Sequence, residues 1–235
     1  MLIRPVKFEE SAAVQEIYNH KSIIDALGGM TFLDGIKGKT KSTGPTIWGA
    51  WTEEGKLVGS MMIGGRNQCH YAKFGEVGVL PEYRRQRIGT ALYTAVVAQG
   101  VLEGRRIWED TIVGTNEIQM HVLPTIGLEK WGILRAKTAS FLDIHIFGYL
   151  LSVEQFNRTI KRLHKGTRIE LREDYYSRDL WSKNQEVYQK KNPEFIKEIE
   201  ECYKIVKESK FFNVVQGEKV CEHNVGKKKK EGTDA

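Results

Sequence analysis

Cysteine and proline are scarce in this chain of 235 residues, with three of the one and five of the other, and no long uncharged apolar run occurs. Each absence excludes something. Without such a run no membrane-spanning helix is expected, and the opening MLIRPVKFEE lacks the apolar stretch of a signal peptide. A cytoplasmic protein with no membrane partner is therefore expected. Cys69, Cys202 and Cys221 are odd in number, far apart and in no CxxC pair, which argues against a disulfide framework. No paired ligand spacing appears among them or among the scattered histidines, so no metal site is expected.

What is present fits one ordinary domain with an appendage, or one large domain. Hydrophobic residues make up 40%, enough for a packed core, and 23 glycines point to many tight turns. The net charge of +6 is unevenly spread. One share lies in Lys227–Lys230, which reads as a solvated tail, and another lies between Arg158 and Arg172. A basic balance permits a polyanionic partner without establishing one.

Along the chain, Leu2–Lys7 reads as a strand and Ser11–His20 as loosely helical. The stretch from Gly28 to Pro45 reads as a loop or lid beside a site. Thr46–Trp51 and Lys56–Ile63, separated by a Gly-containing linker, read as a hairpin. His70–Leu80 reads as a strand, Ile88–Glu103 as a helix with one apolar stripe, and Arg106–Val113 as a further strand. Asn116–Thr125 reads as a short helix, and two strand-like runs lie within Gly132–Phe147. Beyond Gly148, Ser152 with Gln155 forms a capping box, and Asn192-Pro193 reads as a cap that opens a later helix. The expected organisation is a domain over 1–147, an α-helical basic extension over 148–212 and a disordered basic tail over 213–235.

The chemistry concentrates in Val79-Leu80-Pro81-Glu82-Tyr83-Arg84-Arg85-Gln86-Arg87-Ile88-Gly89-Thr90-Ala91-Leu92, between a strand and a helix. Backbone N–H groups at a helix start lack intrahelical partners, and the dipole adds positive charge there. Such a turn cradles a pyrophosphate. Arg84, Arg85 and Arg87 add cations, and Gly89 lets a ligand approach the backbone. Three arginines at this end oppose the dipole, which itself suggests that an anion belongs there; the plainer reading is a solvated basic helix start.

This stretch resembles the coenzyme-A-binding motif of the GNAT superfamily of N-acyltransferases, a strand ending V-x-P followed by R/Q-x-x-G-x-G/A. Val79, Pro81, Arg84, Ile88, Gly89 and Leu92 fall in register, while Arg87 replaces the family's first glycine. Downstream, Asn116 follows a strand and Gly127-Leu128 stands where the family has Gly-Phe. The resemblance covers roughly residues 1–147. It implies an α+β GNAT fold, with a mixed, mostly antiparallel sheet flanked by helices and followed by the α-rich extension. It also implies acetyl-CoA as co-substrate and acyl transfer to an amine by direct attack in a ternary complex. By the same resemblance, the backbone at Val79 and Leu80 would hold the pantetheine and polarise the thioester carbonyl. Arg84, Arg85, Gln86, Arg87, Ile88, Gly89 and Thr90 would hold the pyrophosphate, and Asn116 would contact the pantetheine.

The catalytic groups are less sharply marked. Many relatives in this superfamily carry a Tyr seven residues after the Asn, and here that position is Leu123. Glu76, just before the motif, is the leading candidate base, with a solvent-facing strand carboxylate as the plainer reading. His70, in Cys69-His70-Tyr71, is the second candidate because histidine titrates near neutrality, although a hairpin-end location would make the triplet incidental, and that is the preferred reading. Glu109 and Asp110 form a further acidic pair suited to a binding role. The superfamily's acceptors range from small amines to proteins, tRNA and, in phage Mom-type enzymes, DNA bases. Arg158, Lys161, Arg162, Lys165, Arg168 and Arg172, interleaved with Tyr175, Tyr176 and Trp181, suit phosphate contact and base stacking, so a nucleic acid is an alternative partner. The reading of a catalytically silent binding module also stands, because Arg87 and Leu123 depart from the pattern.

Overall fold

The computed structural model describes residues 1–27, 47–64, 70–138 and 141–217, without the side chains of Tyr175 and Tyr176. The expected lid at Gly28–Pro45, Cys69 and the Lys227–Lys230 run lie outside the described residues.

Nine strands form one sheet in the order β6-β7-β5-β4-β3-β2-β1-β8-β9. They are β1 (Leu2–Pro5), β2 (Ile47–Trp51), β3 (Leu57–Gly64), β4 (Tyr71–Val79), β5 (Ile107–Val113), β6 (Glu129–Leu134), β7 (Ile144–Leu150), β8 (Arg168–Glu173) and β9 (Phe212–Gln216). Pairing is antiparallel except for β4 with β5, β1 with β8 and β8 with β9. The helices are α1 (Ser11–Tyr18), α2 (Lys21–Ala26), α3 (Ile88–Leu102), α4 (Glu117–Thr125), α5 (Val153–Ile160), α6 (Tyr175–Lys191) and α7 (Glu194–Glu208).

The central strands are covered on both faces, and their side chains alternate between two cores, as a strand's period of two requires. Ile47, Trp51 and Met62 join Val14 and Ile17 of α1 on one face. Trp48, Ala50 and Met61 join the α3 residues on the other. Helix α3 is buried around its whole circumference from Ala91 to Leu102, not along a single stripe. The sheet covers one side, and Phe156 of α5 with Ile199, Cys202 and Val206 of α7 belongs to the same core.

The chain beyond residue 147 is rich in helix as expected, with α5, α6 and α7, but it also adds two strands to the sheet; residues 218–235 of the expected tail lie outside the described residues. The expected boundary at Phe147/Gly148 falls inside β7. Strand β8 extends the sheet beyond β1 through Leu2↔Arg168 and Ile3↔Ile169. Asn213–Gln216, expected in a disordered tail, lies in β9 beside β8. Ser152 caps α5, accepting from Gln155 N–H at 3.2 Å, but the expected capping box is only half formed, since the Gln155 side chain donates to the Gly127 carbonyl instead. Asn192 instead closes α6, and Pro193 occupies the N-cap of α7 without a side-chain bond.

A buried amide ties the two parts together. Gln99 of α3 is 1% exposed. Its Nε2 donates to the Arg172 carbonyl at 2.9 Å, and its Oε1 accepts from the Arg172 N–H at 3.0 Å. The side chain thus pairs with β8 as a neighbouring strand would. Gln99→Leu strands both backbone groups, at a cost of roughly 2–4 kcal/mol; chemical denaturation should show a lower midpoint with an unchanged m-value. An unaltered midpoint would mean that this tie carries no stability.

Candidate active site

Strands β4 and β5 run parallel, yet they pair only at Tyr71↔Ile107, Ala72↔Trp108 and Lys73↔Glu109. Beyond Lys73 they diverge, and a cleft of about 330 Å³ opens between Gly75–Val77 on one side and Asp110–Val113 on the other. A β-bulge starts the divergence: Met61 faces Val77 and Ile63 faces Phe74, so Gly75 and Glu76 together oppose Met62. Position 75 is tight against β3: a Cβ there would lie 3.0 Å from the Met62 backbone oxygen, so a larger residue would have to push the strands apart by a few tenths of an ångström. Tyr18 fixes the bulge by donating to the Glu76 carbonyl at 2.6 Å.

The register decides which backbone groups face this gap. Leu80 N–H donates to the Val58 carbonyl at 3.0 Å. In an antiparallel ladder bonded and non-bonded pairs alternate, so the N–H and C=O groups of Val79 and Val77 point away from β3, toward the open edge. The Val79 carbonyl is already taken by Arg84 Nε at 3.0 Å. Of the two donors expected from the sequence, the Val79 amide points away from β3, whereas the Leu80 amide is spent on β3. The Val77 amide points the same way as that of Val79.

Inside the cleft lies a group that the sequence reading valued only as a binding residue. Asp110 is 3% exposed. Tyr93 of α3 donates to its Oδ2, and Thr111 N–H donates to its Oδ1 at 2.8 Å. Gln119 Nε2 in turn donates to the Tyr93 hydroxyl at 2.6 Å. Burial pushes the Asp110 carboxyl up to about 7, against the hydrogen bonds from Tyr93 and Thr111 that favour its charged form. The Tyr93 hydroxyl is raised well above its ordinary value by burial and then by Asp110, so it keeps its proton. One signal of Asp110 was present in the sequence. It shares strand parity with Trp108 and Ile112, which places a carboxylate on an otherwise apolar face.

Glu76 lines the same cleft, as do Asn116 and Gln119. Asn116 caps α4, accepting from Gln119 N–H at 3.1 Å, and its Nδ2 donates to the Ala26 carbonyl at 3.2 Å. Gly127 ends that helix at φ +96°, a conformation that favours glycine. His70 is exposed at the opposite, paired end of β4 and is not among the residues that line the cleft. Leu123 is fully buried in the core, so that position supplies no hydroxyl.

The turn ahead of α3 is built around two left-handed residues, Arg85 (φ 63°) and Arg87 (φ 61°). Arg87, where the motif has glycine, thus adopts the conformation that glycine would take most easily. Arg84 serves the turn itself: besides Val79 it donates to Ser22 Oγ at 2.7 Å. Ile88 points into the core, while Arg85, Gln86 and Arg87 are exposed, and Gly89 and Thr90 are half-buried. No side chain caps the helix, so its first N–H groups face outward. A Cβ on Gly89 would meet no atom within 4 Å. The protein's own packing therefore makes no demand for glycine there, and the space in front of the helix end stays open.

The sequence model of the acetyltransferase (GNAT) family matches residues 13–124. No curated protein matches the chain in sequence. Among solved structures, the fold resembles a ribosomal-protein-alanine N-acetyltransferase from Brucella melitensis, with 20% identity and a TM-score of 0.56 over 64% of this chain and 100% of that one. It also resembles a phosphinothricin acetyltransferase from Sinorhizobium meliloti in complex with acetyl-CoA, with 20% identity and a TM-score of 0.54 over 63% and 86%. A third is a Salmonella typhimurium protein with its cofactor acetyl-CoA, with 17% identity and a TM-score of 0.54 over 63% and 92%. At these identities the likeness is one of fold. Acetyl-CoA is the co-substrate of the family, and the uncapped helix end, the open face at Gly89 and the splayed strands fit an extended phosphate-bearing thioester.

Asp110 also sets a pH dependence of stability. Its folded value, about 7, lies above the unfolded 3.8, so its contribution is fully present below the unfolded value and is lost as pH rises through the folded one. Thermal unfolding of Asp110→Asn should therefore improve relative to the parent between pH 4 and pH 8, by a few kcal/mol in all. A pH-independent difference would contradict a buried, proton-retaining carboxyl.

Proposed function

We propose, for a chain that carries a GNAT-family acetyltransferase domain over residues 13–124, that it transfers an acyl group from acetyl-CoA to an amine, with Asp110 as the base. The carrying observation is a buried carboxyl with a value near 7 in the gap between the diverging strands. A base poised near the working pH combines the correct protonation state with driving force for proton transfer.

In this reading the coenzyme lies across the N-terminus of α3, and its thioester enters the gap between β4 and β5. The Val79 and Val77 amides are the donors aimed where negative charge develops on the carbonyl oxygen. Asp110 accepts the proton that the incoming amine sheds as the C–N bond forms. The C–S bond then breaks, and the departing thiolate takes up a proton from solvent while Asp110 releases the one it accepted, so that no net proton is gained or lost. Tyr93, held between Asp110 and Gln119, supplies from α3 the hydroxyl that Leu123 lacks, and it keeps Asp110 in position. Carboxylates Glu76 and Asp110 in the cleft favour an acceptor that arrives as an ammonium over one that brings phosphates.

Two variants test this. Asp110→Asn should lower kcat by roughly 10²-fold or more while acetyl-CoA binding persists. In the parent, kcat/KM should rise with pH through a midpoint near 7, and that midpoint should vanish in the variant; its survival would move the base elsewhere, with Glu76 next in line. Gly89→Glu places a carboxylate in open space, so the protein should melt normally yet gain no thermal stabilisation from millimolar acetyl-CoA. Stabilisation equal to the parent's would refute the coenzyme assignment.

A further inference from the structure

The basic run between Lys161 and Arg168 lies beyond the family match, and its surroundings do not suit a surface for an extended polyanion. Trp181, the aromatic expected to stack on bases, packs against Gly104 and lies 5.7 Å from the Tyr203 ring. The loop instead meets the coenzyme turn: Arg87 Nη1 donates to the Arg162 carbonyl at 3.0 Å.

We propose that the loop at 161–168 forms the second wall of the coenzyme's phosphate site and takes the 3′-phosphate of coenzyme A; this rests on the acetyl-CoA reading above. Three observations carry it. The loop is held in place, because Leu163 and Thr167 are buried and Thr167 N–H donates to the His164 carbonyl at 2.9 Å. Its Arg168 N–H donates to the Met1 carbonyl at 3.0 Å, anchoring the far end on β1. Its cations are therefore presented by ordered backbone and not by a solvated tail.

The second observation is charge without compensation. Lys161, Arg162 and Lys165 are exposed, and none forms an ion pair with a described residue. Glu154 on the preceding helix pairs with Arg158 at 2.8 Å, and Glu82 ahead of the turn pairs with Lys56 at 3.7 Å. Third, Arg85, Arg87 and the positive end of α3 stand across the Arg87–Arg162 contact. Like charges gathered this way repel unless an anion sits among them. A pyrophosphate at the helix end suits Arg85 and Arg87, and the loop cations suit a further phosphate beside it. A phosphomonoester, close to dianionic at neutral pH, supplies it.

The experiment compares acetyl-CoA with its 3′-dephospho analogue by calorimetry. The parent should bind acetyl-CoA roughly tenfold more tightly than the analogue at low salt, about the worth of one charge-assisted contact. In the variant carrying Lys161→Ala, Arg162→Ala and Lys165→Ala, that preference should disappear while the analogue binds as it does to the parent. Lys165→Glu alone should reduce the preference in the same direction. Equal affinity of the parent for both ligands, or an undiminished preference in the triple variant, overturns the proposal. So does a triple variant that loses salt-dependent DNA binding while retaining the preference, because the loop would then serve nucleic acid. A parent that binds neither ligand overturns the acetyl-CoA reading itself.

Discussion

The functional half of this molecule depends on how little β4 and β5 hold one another. Three residue pairs join them, and a bulge at Gly75-Glu76 then turns β4 away. Strand pairing normally satisfies both edges, so a premature separation within a sheet leaves backbone donors facing a gap. Elsewhere this would be a defect. Here it supplies the Val77 and Val79 amides, a passage between the strands, and a lining in which Asp110 is far from bulk water. Outside that contact, the two wings of the sheet are bridged by α3, whose core spans residues of both.

That helix explains why the chain after residue 147 is so thoroughly engaged. A helix that is apolar on all sides must be covered on all sides, and α5, α6 and α7 cover the side that the sheet does not. Gln99 and Glu103 continue the attachment with polar contacts: Gln99 bonds Arg172, and Asn184 Nδ2 donates to the Glu103 carbonyl at 2.8 Å. The turn that leads into α3 is reached through Arg162. The last third of the chain thus touches the start, the middle and the far end of a single helix.

Much of this was legible in the residues. The strand-turn-helix from Val79 to Leu92, the cap at Ser152 and most elements up to β7 follow from local patterns, because turns, caps and helical periods are encoded within a few residues; the short α2 over Lys21–Ala26 was not read. Three features escaped for reasons of distance or masking. Strand β8 has Ile169 and Leu171 alternating with charged residues, a period of two that the surrounding basic residues obscured, and its partner β1 lies at the opposite end of the sequence. Asp110 was grouped with Glu109 as an acidic pair, although strand parity sends the two to opposite faces. The Leu80 amide was assigned to the site, whereas the ladder register, visible only once β3 and β4 are paired, commits it to Val58.

The pairing of β1 with β8 also bears on how the protein is made. Leu2 and its parallel neighbour Arg168 are separated by most of the described chain, so Leu2 is made long before its partner. Throughout that interval one edge of the nascent sheet is open, and the upper surface of α3 has no cover. Contacts so far apart in the chain slow folding, and exposed edges invite mispairing. The first strand carries its own restraint against that hazard: Pro5 can donate no ladder bond, and the Arg4–Glu10 ion pair sets charge beside it. The sheet is therefore complete only once β8 and β9 have joined it beside β1.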